Sequence, residues 1–404
     1  EHDEGPFYQT QRFERYHAVI QQLLDEDKAY HCYCSREEVD EMREAAMARG
    51  ERPKYNGKCR HLQDKGPADV KPVVRFKNPT EGDVVVDDLI QGQVLFQNQE
   101  LDDLIIARSD GSPTYNLTVV VDDMDMSITH VMRGDDHLNN TPRQINMFKA
   151  LGAKLPAFGH IPMILEPDGK KLSKRHGTVS VLQYRDEGYL PEALLNYLVR
   201  LGWSHGDQEI FSMEEMIKLF DIGDVNKAAS AINPDKLLWL NQHYIKTGDQ
   251  NRLSALTSDY LNKAGISVDD GPDVESLFEV QKERVKTMTE IGEQSRYFYE
   301  DFSEFDEKAA KKNLRPVVLE PLIRLKELFE EISEWSKESL HATLEKVASE
   351  FDIKLGKIAQ PLRVAVTGGA VSPSIDDTLN LIGKKRCLER LDKALIYIKQ
   401  RAET

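Results

Sequence analysis

Residues 115–123 read YNLTVVVDD and residues 128–145 read ITHVMRGDDHLNNTPRQI, and these two stretches decide the fold class. The first is short, apolar and rich in valine and ends in carboxylates, which predicts a buried parallel strand. The second predicts a strand at 128–132, a polar loop, and a helix that begins at Thr141-Pro142, because proline favours the first helical position. Strand, loop and helix in this order form half of a doubly wound α/β unit.

The flanking sequence predicts two other kinds of structure. On the N-terminal side, helical spacing of apolar residues predicts helices at 13–24 and 36–49, and β-branched runs predict strands at 73–76, 84–86 and 94–96. From about residue 181 to the end the pattern is helical. We therefore predict an α/β chain that becomes all-α.

Composition limits the class of protein. The chain has 404 residues, a formal net charge of −16 and four cysteines, which indicates two or three globular domains without a disulfide framework. No apolar run approaches the roughly 20 residues of a membrane helix, so we expect no membrane association and a reducing, cytoplasmic location. The acidic total by itself argues weakly against a nucleic-acid partner.

Three of the four cysteines fall in two tight pairs with a histidine: Cys32 and Cys34, then Cys59 and His61. Two such pairs can close a tetrahedral zinc site, and four protein ligands leave no position for water, so the zinc would be structural. The alternative is that reduced cysteines are buried as small hydrophobic residues.

Residues 168–177, DGKKLSKRHG, place a turn before a cluster of basic side chains. Such a loop can wrap a polyphosphate and stabilise the negative charge of a pyrophosphate leaving group. The alternative is a solvated basic surface loop, which is what most charge runs are.

The segment 171–175, KLSKR, resembles the lysine–serine signature loop of class I aminoacyl-tRNA synthetases, and its surroundings resemble the bacterial glutamyl-tRNA synthetases. The resemblance extends along the chain in family order. Its supporting stretches are 3–6, the cysteine–histidine pairs, 110–115, 133–137, 140–144, 201–204 and 356–363.

The resemblance implies roles for individual residues. Tyr115 and Arg133 match positions in the glutamate pocket, where a guanidinium can hold the side-chain carboxylate bidentately. From the residues alone, an ion pair of Arg133 with Asp135 or Asp136 remains open. The positions that match ATP contacts and the catalytic signature loop are Asp136, His137, Lys171, Ser173 and Lys174.

The resemblance also implies a division of the chain and a set of ligands. The fold implied is a Rossmann-type catalytic domain with an inserted zinc-bearing α+β module, followed by a helical anticodon-binding region. The implied parts are 1–9 (a remnant of the first half of the catalytic domain), 10–114 (the inserted module that binds the acceptor stem), 115–169 (the second half of the catalytic domain), 170–250 (the stem-contact domain with the signature loop) and 251–404 (the helical anticodon-binding domains). The implied ligands are L-glutamate, ATP with Mg²⁺, tRNA(Glu) and one structural Zn²⁺ per chain, in a monomer.

One family element is absent from residues 1–404: the His-x-Gly-His signature after the first strand of the nucleotide-binding fold. We expect it to precede Glu1, and we expect residues 1–404 alone not to activate glutamate. A glutaminyl-type synthetase and a non-catalytic, zinc-stabilised tRNA-binding protein remain alternatives. The first is disfavoured because its anticodon domains are typically β-barrels.

The C-terminal segment carries the charge that a tRNA partner needs. From Lys354 to Arg401 it holds ten basic and only four acidic residues, so a local basic patch can attract RNA despite the acidic total. We predict that residues 356–363 form a loop that presents Gln360 and Arg363 to tRNA; the alternative is a solvated helix face.

Overall fold

The structure is a computed structural model that describes residues 4–51, 53–62, 66–67, 69–171 and 180–402. Contacts between Cα atoms divide these residues into two compact units. The first unit comprises the described residues up to 171 together with 201–208 and 214–232, and the second comprises the others. The five-part division predicted from the sequence remains a prediction.

Within the described residues, the strands are β1 (Ala29–Cys32), β2 (Val73–Phe76), β3 (Asp83–Asp88), β4 (Gly92–Gln97), β5 (Ile105–Ala107), β6 (His130–Gly134), β7 (Ala157–Ile161), β8 (Ile164–Leu165) and β9 (Ser230–Ala231). The helices are α1 (Phe13–Asp25), α2 (Arg36–Ala48), α3 (Tyr115–Asp125), α4 (Thr141–Ala150), α5 (Val181–Asp186), α6 (Pro191–Gly202), α7 (Met213–Leu219), α8 (Pro234–Thr247), α9 (Gln250–Lys263), α10 (Val274–Gln281), α11 (Met288–Tyr299), α12 (Glu307–Asn313), α13 (Leu319–Glu331), α14 (Lys337–Glu350), α15 (Leu355–Thr367), α16 (Ile375–Ile382) and α17 (Lys384–Ala402).

Two sheets organise the first unit. An antiparallel sheet has the order β1-β2-β5, and a four-stranded sheet has the order β4-β3-β7-β6, in which β3, β7 and β6 are parallel. Helix α4 connects the parallel neighbours β6 and β7, as the strand–loop–helix pattern predicts. This sheet combines β3 and β4, which precede residue 114, with β6 and β7, which follow residue 115. It therefore crosses the boundary that the sequence predicts between residues 114 and 115.

Most of the predicted elements in the first unit are confirmed. Helices occupy Phe13–Asp25 and Arg36–Ala48, and strands occupy Val73–Phe76, Asp83–Asp88 and Gly92–Gln97. The strand predicted at 128–132 is present as His130–Gly134. Helix α4 begins at Thr141 with proline in its first turn.

The strand predicted at 115–123 is wrong, because these residues form helix α3. Its buried residues Leu117, Val120 and Val121 follow helical spacing and pack in the core of the first unit. On another side of the helix, Asp122 accepts hydrogen bonds from Arg12 and Tyr16 of the N-terminal segment. These tertiary contacts outweigh the modest β preference of valine.

The loop predicted at 356–363 is also wrong, because these residues lie in helix α15. The buried Ile358, Leu362 and Ala365 again follow helical spacing, and they belong to the large apolar core of the second unit. That packing maintains the helix even though Pro361 inside it lacks the N–H of a helical hydrogen bond.

The second unit is helical, as predicted, and its largest core is built from helices between α9 and α17. No helix in the described part of the chain is long and apolar enough to cross a bilayer.

Candidate functional site

Arg133 lies near the carboxyl end of strand β6, at the edge of the parallel sheet where open α/β folds bind their ligands. The register pairs Arg133 with His160, near the carboxyl end of the adjacent parallel strand β7. Side chains from two strands therefore meet at this edge.

Three neutral side chains hold the half-buried Arg133 guanidinium. Its Nε donates to His160 Nε2 over 3.2 Å, and its Nη2 donates to Thr141 Oγ1 over 2.8 Å and to Gln144 Oε1 over 2.7 Å. These three hydrogen bonds leave Nη1 unused, and the Tyr115 side chain also forms a hydrogen bond to the guanidinium. Burial lowers the pKa of Arg133, while Tyr115 and Asp123 act in the opposite direction.

Neither Asp135 nor Asp136 lies within ion-pair distance of Arg133 in the described residues, so the structure does not support the ion-pair alternative. The acidic groups that raise the pKa of Arg133 are Asp123 and Asp88. Burial raises the pKa of Asp123 to about 6, against a lowering by Arg133 and a further increase from Asp122. A cationic group with only partly compensated charge suits an anionic ligand.

Tyr115 extends this cluster toward the loop after β6. Its ring lies 5.8 Å from that of His137, in the short 3₁₀ helix Asp135–Asn140, and its side chain is half exposed. Asp136 is exposed in the same short helix, and its carboxylate lies 3.8 Å from Lys171 Nζ. The structure thus gathers five of the predicted site residues: Tyr115, Arg133, Asp136, His137 and Lys171.

The Asp168-Gly169 turn before the signature loop is present, with Gly169 at a positive φ of 81°. Lys171 follows it and is exposed. Ser173 and Lys174 lie outside the described residues, so their roles remain predictions.

Sequence reasoning missed a buried acid–histidine pair behind Arg133. Asp88 ends β3, and its Oδ2 lies 2.5 Å from His160 Nδ1, with both side chains fully buried. Burial alone would raise the pKa of Asp88, but hydrogen bonds from the Gln91 and Ile90 amides and from His160 hold it below its usual range. The signal available in the sequence was the carboxylate at the end of the Val84–Val86 run.

The three predicted cysteine ligands converge near β1. The sulfur atoms of Cys32, Cys34 and Cys59 all lie within 4.8 Å of one another, and no metal is part of this structure. His61 is exposed and does not belong to this group. The Tyr55 hydroxyl adjoins the sulfurs, 3.4 Å from Cys32 Sγ and 3.8 Å from Cys34 Sγ, which sequence spacing did not indicate.

The cysteine cluster fits a metal by its donor chemistry. Burial and the neighbouring Cys59 raise the pKa of Cys34 to about 12. Burial would also raise the pKa of Cys32, but hydrogen bonds from Tyr55 and Arg75 bring it below its usual value. Three sulfur donors this close together are a ligand set that suits zinc.

In the second unit, Gln360 lines a cavity of about 1180 Å³ beside the start of α15. Exposed Lys354 and Lys357 contribute charge to its wall, and Phe351 and Val317 contribute apolar surface. Such a combination can bind unstacked nucleotides.

Arg363 is half-buried, and its three nitrogens are all engaged. Nε donates to Ser372 Oγ, Nη1 to Gln360 Oε1 and Nη2 to the Pro373 carbonyl, at 2.8, 2.7 and 3.1 Å. Burial and the positive charge of Arg284 lower its pKa. The structure therefore places Arg363 behind the surface, where it holds the segment that follows α15.

Two family models match the chain. The catalytic domain of the class I tRNA synthetases for glutamate and glutamine matches residues 1–239, and an anticodon-binding domain matches residues 251–395.

Curated relatives match at high identity. A glutamate–tRNA ligase 1 of Alkalilimnicola ehrlichii is 54% identical over 402 residues, which covers 100% of this chain and 85% of the relative. A glutamate–tRNA ligase 2 of Coxiella burnetii is 56% identical over 400 residues, which covers 98% of this chain and 85% of that protein.

Solved structures of glutamate–tRNA ligases are similar to this chain. A glutamate–tRNA ligase from Elizabethkingia meningosepticum, in complex with its amino acid, superposes with a TM-score of 0.84 at 30% identity over 98% of this chain and 85% of its own. A glutamate–tRNA synthetase from Elizabethkingia anophelis gives a TM-score of 0.79 at 31% identity, with 98% of this chain and 86% of its own covered.

Proposed function

The chain belongs to the glutamate–tRNA ligases of the class I aminoacyl-tRNA synthetases, and we propose that the cluster around Arg133 is the place where it binds glutamate. A ligase of this family uses ATP to convert glutamate to glutamyl-adenylate with release of pyrophosphate. It then transfers the glutamyl group to the 3′ end of tRNA and releases AMP. The high-identity relatives favour this function over the glutaminyl-type and the non-catalytic alternatives.

The observation that carries the glutamate assignment is the state of the Arg133 guanidinium. Its Nε and Nη2 are fixed by neutral partners, which leaves Nη1, with the Tyr115 side chain hydrogen-bonded to the same guanidinium, to donate to a carboxylate. Because only one nitrogen remains, we propose a contact from Nη1 and a second from the Tyr115 hydroxyl, instead of the bidentate grip that the sequence suggested. A glutamine side chain has no charge to offer Arg133, so the site favours glutamate.

For ATP, we propose that Asp136 and His137 lie beside the adenosine and that Lys171, with Ser173 and Lys174 of the signature loop, contacts the phosphates. The 3.8 Å separation of Lys171 and Asp136 supports one continuous site. Activation is attack of the glutamate α-carboxylate on the α-phosphate, so positioning and neutralisation of charge provide most of the catalysis. Mg²⁺ bound with ATP would share that charge.

For zinc, we propose that the thiolates of Cys32, Cys34 and Cys59 hold one structural ion. The fourth ligand is either Tyr55, whose hydroxyl adjoins the sulfurs, or His61, as the sequence predicts. The zinc content of the purified Tyr55→Phe and His61→Ala proteins distinguishes Tyr55 from His61 as the fourth ligand. The variant that loses zinc identifies the ligand, and a zinc-free parent protein overturns the site.

For tRNA, we propose that the cavity beside α15 receives anticodon nucleotides, with Gln360 in its wall and Lys354 and Lys357 facing the phosphates. Arg363 contributes by holding Gln360 and the segment up to Pro373 in place. The cytoplasmic location and the monomeric state remain predictions.

The test of the glutamate site is Arg133→Ala in the full-length protein. Loss of a charged hydrogen-bond donor to the substrate is expected to lower kcat/KM for glutamate in tRNA glutamylation by roughly 100-fold or more, with the KM for ATP nearly unchanged. Glutamate-dependent ATP–pyrophosphate exchange, with and without tRNA, should fall in parallel. An unchanged glutamate KM and kcat would remove Arg133 from the site.

A further inference from the structure

Three adjacent parallel strands each place one polar side chain at the same edge of the sheet. Asp88 ends β3, His160 lies near the end of β7, and Arg133 lies near the end of β6. The side chains of Asp88 and His160 are fully buried, so neither faces a ligand. A chain of hydrogen bonds nevertheless connects Asp88 to His160 and His160 to Arg133.

The partners of His160 fix its tautomer. Arg133 Nε can only donate, so His160 Nε2, 3.2 Å away, must carry a lone pair. The Thr141 hydroxyl lies 2.9 Å from the same nitrogen. The ring proton of the neutral imidazole is therefore on Nδ1, which donates to Asp88 Oδ2 over 2.5 Å.

The backbone fixes Asp88 in turn. Its Oδ1 accepts hydrogen bonds from the amides of Ile90, Gln91 and His160 at 2.9, 2.8 and 3.2 Å. Oδ1 is thereby occupied, and Oδ2 is directed at the imidazole. This arrangement gives Asp88 a single role toward His160, that of acceptor.

We propose that Asp88 and His160 are positioning residues for substrate recognition: they hold the imidazole in the tautomer that accepts from Arg133 Nε, so that the guanidinium presents Nη1 to the glutamate carboxylate. This inference rests on the proposed role of Arg133. A buried partner that sets a histidine tautomer acts through that histidine on the group it contacts. A purely structural pair that ties β3 to β7 would affect stability without a selective effect on glutamate.

The decisive variant is Asp88→Asn in the full-length protein. The asparagine carbonyl can still accept from the Ile90 and Gln91 amides, which turns its NH₂ group toward His160 Nδ1. The imidazole must then carry its proton on Nε2, where it meets the Arg133 Nε–H. We expect the KM for glutamate in tRNA glutamylation to rise about 10- to 100-fold, while the KM values for ATP and tRNA stay within about twofold.

The matched control is Asp87→Asn. Asp87 is the neighbouring residue on β3 and faces solvent. Asp87→Asn therefore removes one carboxylate from the same strand and leaves the hydrogen bonds among Asp88, His160 and Arg133 unchanged. All three KM values should stay within about twofold of the parent values.

A spectroscopic readout makes the inference independent of activity. In protein labelled with ¹⁵N-histidine, the His160 ring should show an unprotonated Nε2 and a protonated Nδ1, and Asp88→Asn should reverse this pattern. If that variant does not fold, His160→Gln and His160→Leu replace it. Glutamine can still accept from Arg133, so its glutamate KM should rise less than that of the leucine variant.

The outcomes separate this inference from the proposed function. If Arg133→Ala raises the glutamate KM and Asp88→Asn leaves both that KM and the tautomer unchanged, the positioning role is wrong and the glutamate site stands. If Arg133→Ala itself has no effect on glutamate, the site assignment fails first. An equal rise in all KM values for Asp88→Asn would indicate a structural role and overturn the inference.

Discussion

Arg133 and Arg363 are both half-buried arginines whose pKa is lowered by burial, yet they use their nitrogens differently. Arg133 receives partners from α4 and β7 on Nε and Nη2, none of these bonds uses Nη1, and Tyr115 of α3 also forms a hydrogen bond to the guanidinium. Arg363 spends all three nitrogens on residues within ten positions of itself. The same residue type is therefore prepared to bind a ligand in one region and to shape the backbone in the other.

The hydrogen bonds of an arginine help to decide whether it contacts a ligand, as a family resemblance implies, or has a structural role. Such an arginine can contact a ligand directly only if the fold supplies partners that orient it without consuming every donor. Each guanidinium has five N–H donors, of which these hydrogen bonds use three. In Arg133 they fall on Nε and Nη2 and leave both N–H groups of Nη1, whereas in Arg363 one falls on each nitrogen, so no terminal nitrogen keeps both of its N–H groups. The two regions consequently predict opposite outcomes for activity and stability.

The largest expected effect is that of Arg133→Lys. A lysine ammonium cannot reproduce the planar arrangement that contacts His160, Thr141 and Gln144 and still presents a donor to substrate. We expect kcat/KM for glutamate to fall by about 100-fold. Stability should also fall, because His160, Thr141 and Gln144 lose hydrogen bonds from the guanidinium, but less than for Arg363→Ala, because lysine retains the charge and a donor. A loss of stability with unchanged glutamate kinetics would show that Arg133 has a structural role and does not bind glutamate.

The next effect is that of Arg363→Ala, which should act mainly on folding. It removes three hydrogen bonds made by a charged group and leaves the Pro373 carbonyl without this donor, so the free energy of unfolding should fall by about 2–3 kcal/mol. Denaturant unfolding followed by circular dichroism measures this loss. The KM for glutamate serves as the control, and a selective rise in that KM would contradict the structural role.

A smaller effect on stability, which depends on pH, is expected for Asp123 near Arg133. The pKa of Asp123 is raised to about 6, so its folded-state pKa lies above the unfolded value of 3.8. The carboxyl group therefore stabilises the folded protein most at low pH, and this contribution is lost as the pH rises through about 4 to 6. Asp123→Asn should gain roughly 1–2 kcal/mol of stability at pH 7.5 and less at pH 4.5.

Thermal unfolding midpoints of Asp123→Asn and the parent protein, measured at both pH values, check this prediction. The matched control is Asp83→Asn, whose carboxylate is exposed on β3. A variant that is equally stabilised at both pH values would show that titration of Asp123 is not the cause.

The smallest effect is that of Lys357→Ala on the cavity beside α15. Lys357 is exposed, so the substitution should leave stability unchanged. The KM for tRNA should rise about three- to tenfold, and the salt dependence of tRNA binding should weaken by about one phosphate contact. Lys308→Ala, on α12 and outside the lining of this cavity, is the control. An identical result for the two variants would remove the cavity from the tRNA interface.

Much of the site could be predicted because its signals are local in sequence. The metal candidates Cys32, Cys34 and Cys59 stand out by their tight spacing alone. The roles predicted for Arg133, Asp136 and His137 came from the resemblance of a short stretch after a predicted strand to the glutamyl-tRNA synthetases. Asp88, His160 and Tyr55 were not predicted because their roles depend on residues distant in sequence. Asp88 and His160 are 72 residues apart, and Tyr55 is 23 residues from Cys32. No pattern within a window of sequence contains those neighbours.

The sequence by itself determined the class of the chain, the order of α/β and helical regions, and the residues able to carry charge or bind a metal. Periodicity and side-chain chemistry are local properties, and they determine these features. Only the tertiary structure decided that 115–123 and 356–363 are helices, since burial of Leu117 and Val120 in one unit and Ile358 and Leu362 in the other outweighs local preference. It alone decided which arginine keeps a terminal nitrogen outside these hydrogen bonds, because hydrogen-bond partners depend on how strands and helices meet.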